Sequence, residues 1–357
     1  MLLTAFVFIA ILSGLVLVHE LGHFVAARWA GVKVEQFSIF FPPHIWKRKG
    51  KETELAIGII PLGGYVRLFG EDLPAGEAGA EAKGSGAFNR ASVWRRLGII
   101  VAGVAMNLIA SVILLWLGFT VGMPPIISTP AELNVSAPSQ VLVTAIQSNS
   151  AAEKAGLVVG DIIDGFASAT DIQTYTRARR GETVPLTVHR GSSTSTVQAT
   201  LGTDETAPLG IGIAEATVIK VGPVTALRLA IVETSRMVAA MGQFLKDLII
   251  GLFAHATVAD GVTGPVGIYQ ITGQAVQLGF GYVIQLAAMI SLNLALINLL
   301  PIPGLDGGRG LFILLEAIAG GKKVVAEHHE ALIHAIGFWV LIILFLAITI
   351  RDVSNLF

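Results

Sequence analysis

Four long stretches of this 357-residue chain are apolar and almost free of charge, and they limit its possible folds more than any other feature. They lie at residues 1–30, 97–122, 282–300 and 333–350, and each is long enough to cross a hydrocarbon core of ~30 Å as a helix. With 53% hydrophobic and 14% charged residues, the chain cannot cover its surface with polar groups, which excludes a water-soluble globule and a disordered chain. The fold class predicted is a polytopic α-helical membrane protein with about four transmembrane helices.

The first stretch also has the apolar character of a secretory signal peptide. It lacks a basic segment before the apolar run and a small-residue cleavage motif, and it contains His19, Glu20 and His23. We therefore interpret it as the first transmembrane helix.

Lys and Arg residues are concentrated between the first two spans. Residues 28–96 carry eleven of the 24 in the chain, and loops rich in these residues favour the cytoplasmic side. The amino terminus, residues 123–280 and the carboxyl terminus are then expected outside, and residues 301–330 inside. A formal net charge of −1 gives no reason to expect a nucleic-acid partner.

Residues 124–217 have a different character from the spans. Short β-rich runs separated by Gly, Ser and Asp predict a soluble α+β domain there. Residues 224–256 follow a helical pattern with five charges, which favours a helix on the membrane surface over the alternative, a fifth crossing. The predicted organisation is a first half of a membrane core at 1–122, the soluble domain at 124–217, amphipathic interfacial helices at 218–280, and a second half of the core at 281–357.

The first span contains the run His19-Glu20-Leu21-Gly22-His23. On a helix, residues four apart share a face, so both imidazoles can reach one metal ion, with Glu20 beside them. Imidazole suits Zn²⁺, which in catalytic sites keeps three protein ligands and one water. A chance match is the alternative, but three ionisable groups in an apolar span are costly in lipid unless they have a partner such as a metal. The motif predicts one zinc ion, with Glu20 as the general base.

A helix-breaking segment near the end of the third span offers a third ligand. It reads Asn298-Leu299-Leu300-Pro301-Ile302-Pro303-Gly304-Leu305-Asp306-Gly307-Gly308. Irregular backbone at membrane depth is tolerated where it is buried in protein or lines a wet cavity, and this break is expected at the depth of His19. Asp306 is therefore the predicted third ligand; capping of the next helix is its alternative role. Asn298 either binds a substrate carbonyl or only contacts a neighbouring helix, and Asn107 is expected to be structural.

The segment after the first span predicts a β-hairpin. Residues 54–60 and 65–69 have strand character and flank Pro61-Leu62-Gly63-Gly64. If the zinc site hydrolyses a peptide bond, the substrate must be unwound and held extended, because a helical peptide bond is poorly accessible to attack. We expect one edge of this membrane-associated β-hairpin or sheet, at Gly64, Tyr65 and Val66, to pair with it. A hairpin that only braces the helices is the alternative.

The two metal motifs together resemble the site-2 protease family of intramembrane zinc metalloproteases, and within it the bacterial regulator of sigma-E type. The resemblance extends to residues 61–66, 88–107 and 264–268. It departs from the family at Val104, which replaces the proline of the motif A-G-P-x-x-N in the second span.

This resemblance implies both a chemistry and a class of substrate. It implies zinc ligation by His19, His23 and Asp306, with Glu20 as the general base. It implies cleavage of single-span membrane proteins, such as anti-sigma factors or signal-peptide remnants, in the lipid bilayer of the bacterial inner membrane.

Residues 149–161 are similar to the signature N-S-P-A-x-x-A-G-L-x-x-G-D of PDZ domains. They read Asn149-Ser150-Ala151-Ala152-Glu153-Lys154-Ala155-Gly156-Leu157-Val158-Val159-Gly160-Asp161. The likeness implies an extracytoplasmic PDZ-like domain that can bind a peptide by strand addition. A steric plug, or size filter, beside the active site is the alternative.

Two other classes of protein compete with a protease. A catalytically silent membrane PDZ receptor would use the metal only for structure, but structural zinc sites need four protein ligands and three are apparent. A zinc transporter would need His or Asp residues distributed across the spans, and the sequence has no such series. The sequence therefore favours a metalloprotease.

Overall fold

The structure is a computed structural model that describes residues 1–71, 86–137, 139–190, 193–204, 206–255 and 264–354. Helices and strands follow one another in this order: α1 (Leu2–Trp29), β1 (Val34–Lys49), β2 (Glu54–Leu68), a 3-10 turn (Phe88–Arg90), α2 (Val93–Val121), β3 (Ser139–Ile146), α3 (Ala151–Lys154), β4 (Ile162–Ile163), α4 (Ala169–Ala178), β5 (Thr183–Arg190), β6 (Ser193–Thr200), β7 (Ile211–Thr217), α5 (Pro223–His255), α6 (Pro265–Leu278), α7 (Phe280–Leu299), α8 (Asp306–Ile318) and α9 (Glu327–Ser354).

Four helices in the described part of the chain are long and apolar enough to cross a membrane. They are α1, α2, α7 and residues 328–354 of α9, so the four predicted spans are confirmed by length and composition. The long helix α5 is not among them, in keeping with the charges that set it apart in the sequence. The chain is thus a multi-pass membrane protein that also contains β-sheets.

The chain forms two compact units. The first comprises residues 1–111, 243–270 and 287–357, and the second comprises residues 112–242 and 271–286.

In the first unit, the hairpin predicted over residues 54–60 and 65–69 is wrong. Strand β2 continues through residues 61–64, and its two halves do not pair with each other, because residues 54–57 and 64–67 both pair with residues 36–39 of β1. The turn lies instead after β1, where the Gly50 N–H donates to the Thr53 carbonyl at 2.9 Å.

The reason for this difference is local. The register gives no partner for residues 59 and 61–63, so Pro61, which has no N–H to donate, fits into an unpaired part of the strand without ending it. The Pro61 carbonyl accepts a hydrogen bond from Ser13 Oγ of α1 at 2.7 Å. This bond connects the unpaired part of β2 to α1, the helix that carries His19 and Glu20.

A tight loop leads from α7 into α8. Asp306 is the first residue of α8, whose N-cap is Leu305 without a side-chain cap, so the alternative that Asp306 only caps this helix is wrong. Built Cβ atoms at Gly307 and Gly308 would lie 2.2 Å from the Leu300 carbonyl oxygen and 2.4 Å from that of Ile302. Only glycine lets the chain fold back this closely, which places Asp306 at the start of the helix.

Contacts from α2 and α9 hold this loop and α8 in place. Arg96 of α2 is buried and forms an ion pair with Glu316 near the end of α8. The Gly304 N–H donates to His334 Nδ1 of α9 at 3.0 Å. These contacts attach residues on both sides of Asp306, Gly304 and Glu316, to α9 and α2.

The second unit contains a five-stranded sheet in the order β6-β5-β4-β3-β7, with α3 and α4. Its core includes Val141 and Val188, which are fully buried. The buried Asp161 accepts two hydrogen bonds from Arg190, each 2.7 Å long, and this bonding raises the pKa of Arg190. The β-rich runs predicted over residues 124–217 coincide with β3, β5 and β6.

Candidate metal centre

Two histidines of α1 and one aspartate of α8 converge in the first unit. His19 and His23 are four residues apart on one helix, and both are buried. Their Nε2 atoms lie 3.1 Å apart, and Asp306 Oδ2 lies 2.9 Å from His19 Nε2 and 3.2 Å from His23 Nε2. The structure therefore brings together the three predicted ligands, although 287 positions separate His19 from Asp306.

The spacing of these three atoms suits a single small cation. Two tetrahedral ligands at ~2.0–2.1 Å from Zn²⁺ lie about 3.3 Å from each other, close to the separations found here. Two imidazole nitrogens and a carboxylate oxygen are also all able to offer lone pairs to a metal. This group could hold one zinc ion.

The orientation of His23 is fixed by its other ring nitrogen. Nδ1 lies 2.9 Å from the backbone carbonyl oxygen of Ile99 on α2, which can only accept a hydrogen bond. Nδ1 therefore carries the proton, and the lone pair of Nε2 points towards His19 and Asp306. Bonds of this kind select the tautomer of metal-binding histidines and hold the ring in position.

Close packing of α2 against α1 makes room for the two rings. A built Cβ at Gly103 would lie 2.3 Å from His23 Nε2 and 2.8 Å from His19 Cε1. A built Cβ at Gly22 would lie 2.4 Å from the Ala102 carbonyl oxygen. The backbones of the two helices meet at these glycines, as is common for small residues in membrane helices.

Glu20 lies between the histidines and strand β2. Its side chain is half-buried, and the backbone of Val66 interacts with its carboxylate. A built Cβ at Gly64 would be 3.8 Å from Glu20 Cγ, so the strand approaches the glutamate without a side chain between them.

The predicted substrate-binding strand residues are part of this arrangement. Gly64, Tyr65 and Val66 pair with residues 37–39 of β1. The Tyr65 hydroxyl donates to Gln36 Oε1 at 2.9 Å, so its side chain serves the sheet itself. What the segment presents next to Glu20 is mainly backbone.

Asn298 lines a cavity beside Asp306. The cavity has a volume of about 220 Å³, and its other lining side chains are mostly apolar, including Leu97, Val104 and Leu311. Val104, which stands where the family motif has proline, therefore faces the cavity next to a candidate metal ligand.

Asn107 is a polar residue whose contact with the site was missed by the sequence reasoning. It is fully buried on α2, and its amide nitrogen lies 3.4 Å from His19 Nδ1. Its spacing of four residues from Gly103 places both on one face of α2, but the sequence does not show that this face meets α1.

Comparisons with known proteins agree with this geometry. Residues 7–344 match the family model described as peptidase family M50. A relative in Clostridium acetobutylicum is 34% identical over 345 residues, covering 95% of this chain and 94% of the relative. A Synechocystis relative is 34% identical, with 99% and 95% covered. The zinc metalloprotease RasP of Bacillus licheniformis is 29% identical over 442 residues, with 99% of both chains covered. All three relatives carry a zinc metalloprotease name.

Proposed function

This chain belongs to peptidase family M50, the site-2 protease family of zinc metalloproteases, and on that premise we propose that it cleaves single-span membrane proteins within or near their transmembrane segments. The observation that carries the proposal is the convergence of His19, His23 and Asp306 beside Glu20. Substrates of the anti-sigma factor or signal-peptide remnant type fit this activity. The alternative of a catalytically silent receptor is wrong, because family membership makes the chain a metalloendopeptidase.

The roles that we assign follow from position. His19, His23 and Asp306 would hold one zinc ion, which when bound supplies Lewis-acid polarisation of the scissile carbonyl and of a water molecule. Glu20 would take the proton of the attacking water and pass it to the leaving amine. Asn298 would hydrogen-bond the substrate backbone from the wall of the cavity beside Asp306.

Removal of the metal tests this assignment. Chelation should reduce cleavage of a reconstituted single-span substrate by at least about 100-fold, and added zinc should restore it, because activation of the water depends on the ion. After chelation, added zinc should not restore cleavage by the Asp306→Asn variant. It should restore cleavage by the control variant Asp164→Asn, which changes an exposed residue. Cleavage by verified zinc-free protein at the wild-type rate would contradict the proposal.

We also propose an orientation and a domain organisation from the sequence. The excess of Lys and Arg at residues 28–96 supports a cytoplasmic location for that segment in a bacterial inner membrane. Residues 1–122 and 281–357 would form the two halves of the membrane core. Residues 218–280 would contribute helices at the membrane surface.

We propose that residues 64–66 of β2 hold the unwound substrate. In the described register, residues 64–67 have strand partners on one side only, in residues 36–39, and the Val66 backbone also contacts the Glu20 carboxylate. A further strand would pair along the side that has no strand partner. Main-chain hydrogen bonds to such an edge hold an extended peptide whatever its side chains are. Their position next to Glu20 supports this role.

The double variant Tyr65→Pro and Val66→Pro is expected to abolish cleavage while zinc stays bound, because proline removes the N–H groups that pairing needs. The control Arg48→Pro changes a different segment of the sheet, one that pairs with Leu55, and should retain most activity. The measurements are cleavage rate and zinc content. Unchanged cleavage by the double variant would show that the sheet only braces the helices.

We propose further that residues 124–217 form a PDZ-like domain that binds peptides. In the described part of its sheet, β7 has a neighbour on one side only, β3. A cavity of about 160 Å³ is lined by Ile172 and Thr176 of α4 and by Ile211 and Ile213 of β7. A peptide that added to β7 as a strand could place an apolar side chain in this cavity.

Ile213→Asp is expected to weaken binding of a fluorescent peptide with an apolar carboxyl-terminal residue by about tenfold or more, because it introduces an unpaired charge into the cavity. The control Ser195→Asp, on the exposed face of β6 at the opposite end of the sheet, should bind as the wild type does. Fluorescence anisotropy, with the full chain in detergent, measures peptide binding by both variants. Absence of binding by the wild type would favour a steric plug.

A further inference from the structure

The two histidines of the metal centre differ in what their second ring nitrogen contacts. His23 Nδ1 faces a backbone carbonyl oxygen, that of Ile99. His19 Nδ1 faces the side-chain amide of Asn107, with the amide nitrogen at 3.4 Å. The contact with Ile99 requires the proton of His23 to be on Nδ1. The contact with Asn107 does not by itself fix the tautomer of His19, because either the nitrogen or the oxygen of the amide can face Nδ1.

Binding of a metal at His19 Nε2 decides the orientation of that amide. A neutral imidazole that offers Nε2 to zinc carries its proton on Nδ1, so Nδ1 must donate. An amide nitrogen also donates, and two donors facing each other repel. The oxygen and nitrogen of an amide are assigned from the hydrogen bonds around them, so a rotation of 180° is open here.

The unpaired atom of Asn107 is compatible with both orientations of the amide. Asn107 is fully buried, and its Oδ1 has no hydrogen-bond partner among the described residues. Rotation brings Oδ1 to the Nδ1–H of His19 and leaves Nδ2 in the place that Oδ1 occupied. Either orientation thus leaves one amide atom unpaired, and the tautomer that offers His19 Nε2 to a metal favours the one with Oδ1 at Nδ1.

The backbone around Asn107 keeps the side chain at this position. The backbone carbonyl oxygen of Asn107 accepts a hydrogen bond from Ser291 Oγ of α7 at 2.8 Å. One turn further along α2, Ser111 Oγ donates to the Ala288 carbonyl oxygen at 2.9 Å. These two contacts fix α2 against α7 without involving the amide of Asn107, which leaves that amide to serve His19.

We propose that Asn107 is a positioning residue that accepts the Nδ1–H of His19 through Oδ1 and so directs Nε2 of His19 at the zinc ion. The inference rests on the metal site of the proposed function. It predicts that position 107 needs an acceptor and does not need a donor. A carboxylate there would serve as well as the amide oxygen, because histidine ligands of zinc commonly donate to carboxylates.

The test measures zinc affinity rather than cleavage. Asn107→Leu, which keeps the bulk but has no acceptor, should weaken zinc binding by about 10–100-fold, the usual effect of losing such a partner. Asn107→Asp should bind zinc within about threefold of the wild type. Thr120→Ala, which removes a side-chain hydrogen bond to the Trp116 carbonyl oxygen further along the same helix, should leave zinc affinity unchanged. Competition with a chromophoric chelator gives the dissociation constants, and thermal melting in detergent reports folding.

Each outcome decides the question. Wild-type zinc affinity in Asn107→Leu overturns the inference, and so does an Asn107→Asp protein that binds as weakly as Asn107→Leu. If Asn107→Leu does not fold, Asn107→Ala, which also lacks an acceptor, replaces it, and wild-type zinc affinity in that variant overturns the inference. Failure of every variant at position 107 to fold also overturns it, because Asn107 would then be needed for folding. Absence of zinc binding by the wild type would refute the metal site itself, which separates that failure from failure of the role of Asn107.

Discussion

Glu20→Gln is expected to lower the rate of substrate cleavage by about 10²–10⁴-fold, the range that a general base contributes, while zinc binding stays at the wild-type level. The amide has nearly the same shape as the carboxylate but cannot take a proton from water. The substitution changes a half-buried side chain next to the Val66 backbone and does not change the three metal ligands. Single-turnover cleavage of a reconstituted substrate, together with zinc content, measures both quantities.

A matched control for this variant is Glu35→Gln, which removes an exposed glutamate from β1. It should cleave at the wild-type rate. A Glu20→Gln protein with full zinc content and a rate within about tenfold of the wild type would remove Glu20 as the base and require another proton acceptor.

Gly103→Ala is expected to abolish zinc binding, and cleavage with it, although the change adds only one methyl group. The new Cβ would lie 2.3 Å from His23 Nε2, the atom that faces the metal, and it meets a ring held in place by Ile99. Relief of this clash requires the ring or helix α2 to move, and either movement separates the ligands. Zinc content after purification, measured by atomic absorption, reports the effect.

Gly98→Ala is the control on the same helix, because a Cβ built at Gly98 meets nothing within 4 Å. Alanine there should leave zinc content and activity unchanged and should add a little helix stability. A Gly103→Ala protein that kept its zinc would mean that α2 does not lie against the metal-facing nitrogens.

Much of the membrane core could be predicted from local features of the sequence. The four spans follow from apolar runs of sufficient length, and the pairing of His19 with His23 follows from the helical repeat. The prediction of Asp306 needed one more assumption, that the break after α7 lies at the depth of His19. The contact between Asp306 and the histidines agrees with that assumption.

The hairpin prediction failed because strand pairing is not a local property. Residues 61–64 have the composition of a turn, yet β2 continues through them because residues 36–39 offer hydrogen bonds to both of its halves. The contact of Asn107 with His19 escaped prediction for a related reason. Which polar residue of a span faces a metal ligand depends on how two helices are rotated against each other, and the sequence of one helix does not contain that information.

The number of spans, the pair of histidines and the chemistry that they favour follow from local sequence, since each depends on residues within one or two helical turns or within one apolar run. Packing between distant segments sets which residues surround that pair. Asp306 reaches the histidines because glycines let the chain fold back before α8, and Gly103 leaves room for both rings. Convergence of this kind depends on packing between segments far apart in the chain, and no local pattern specifies it.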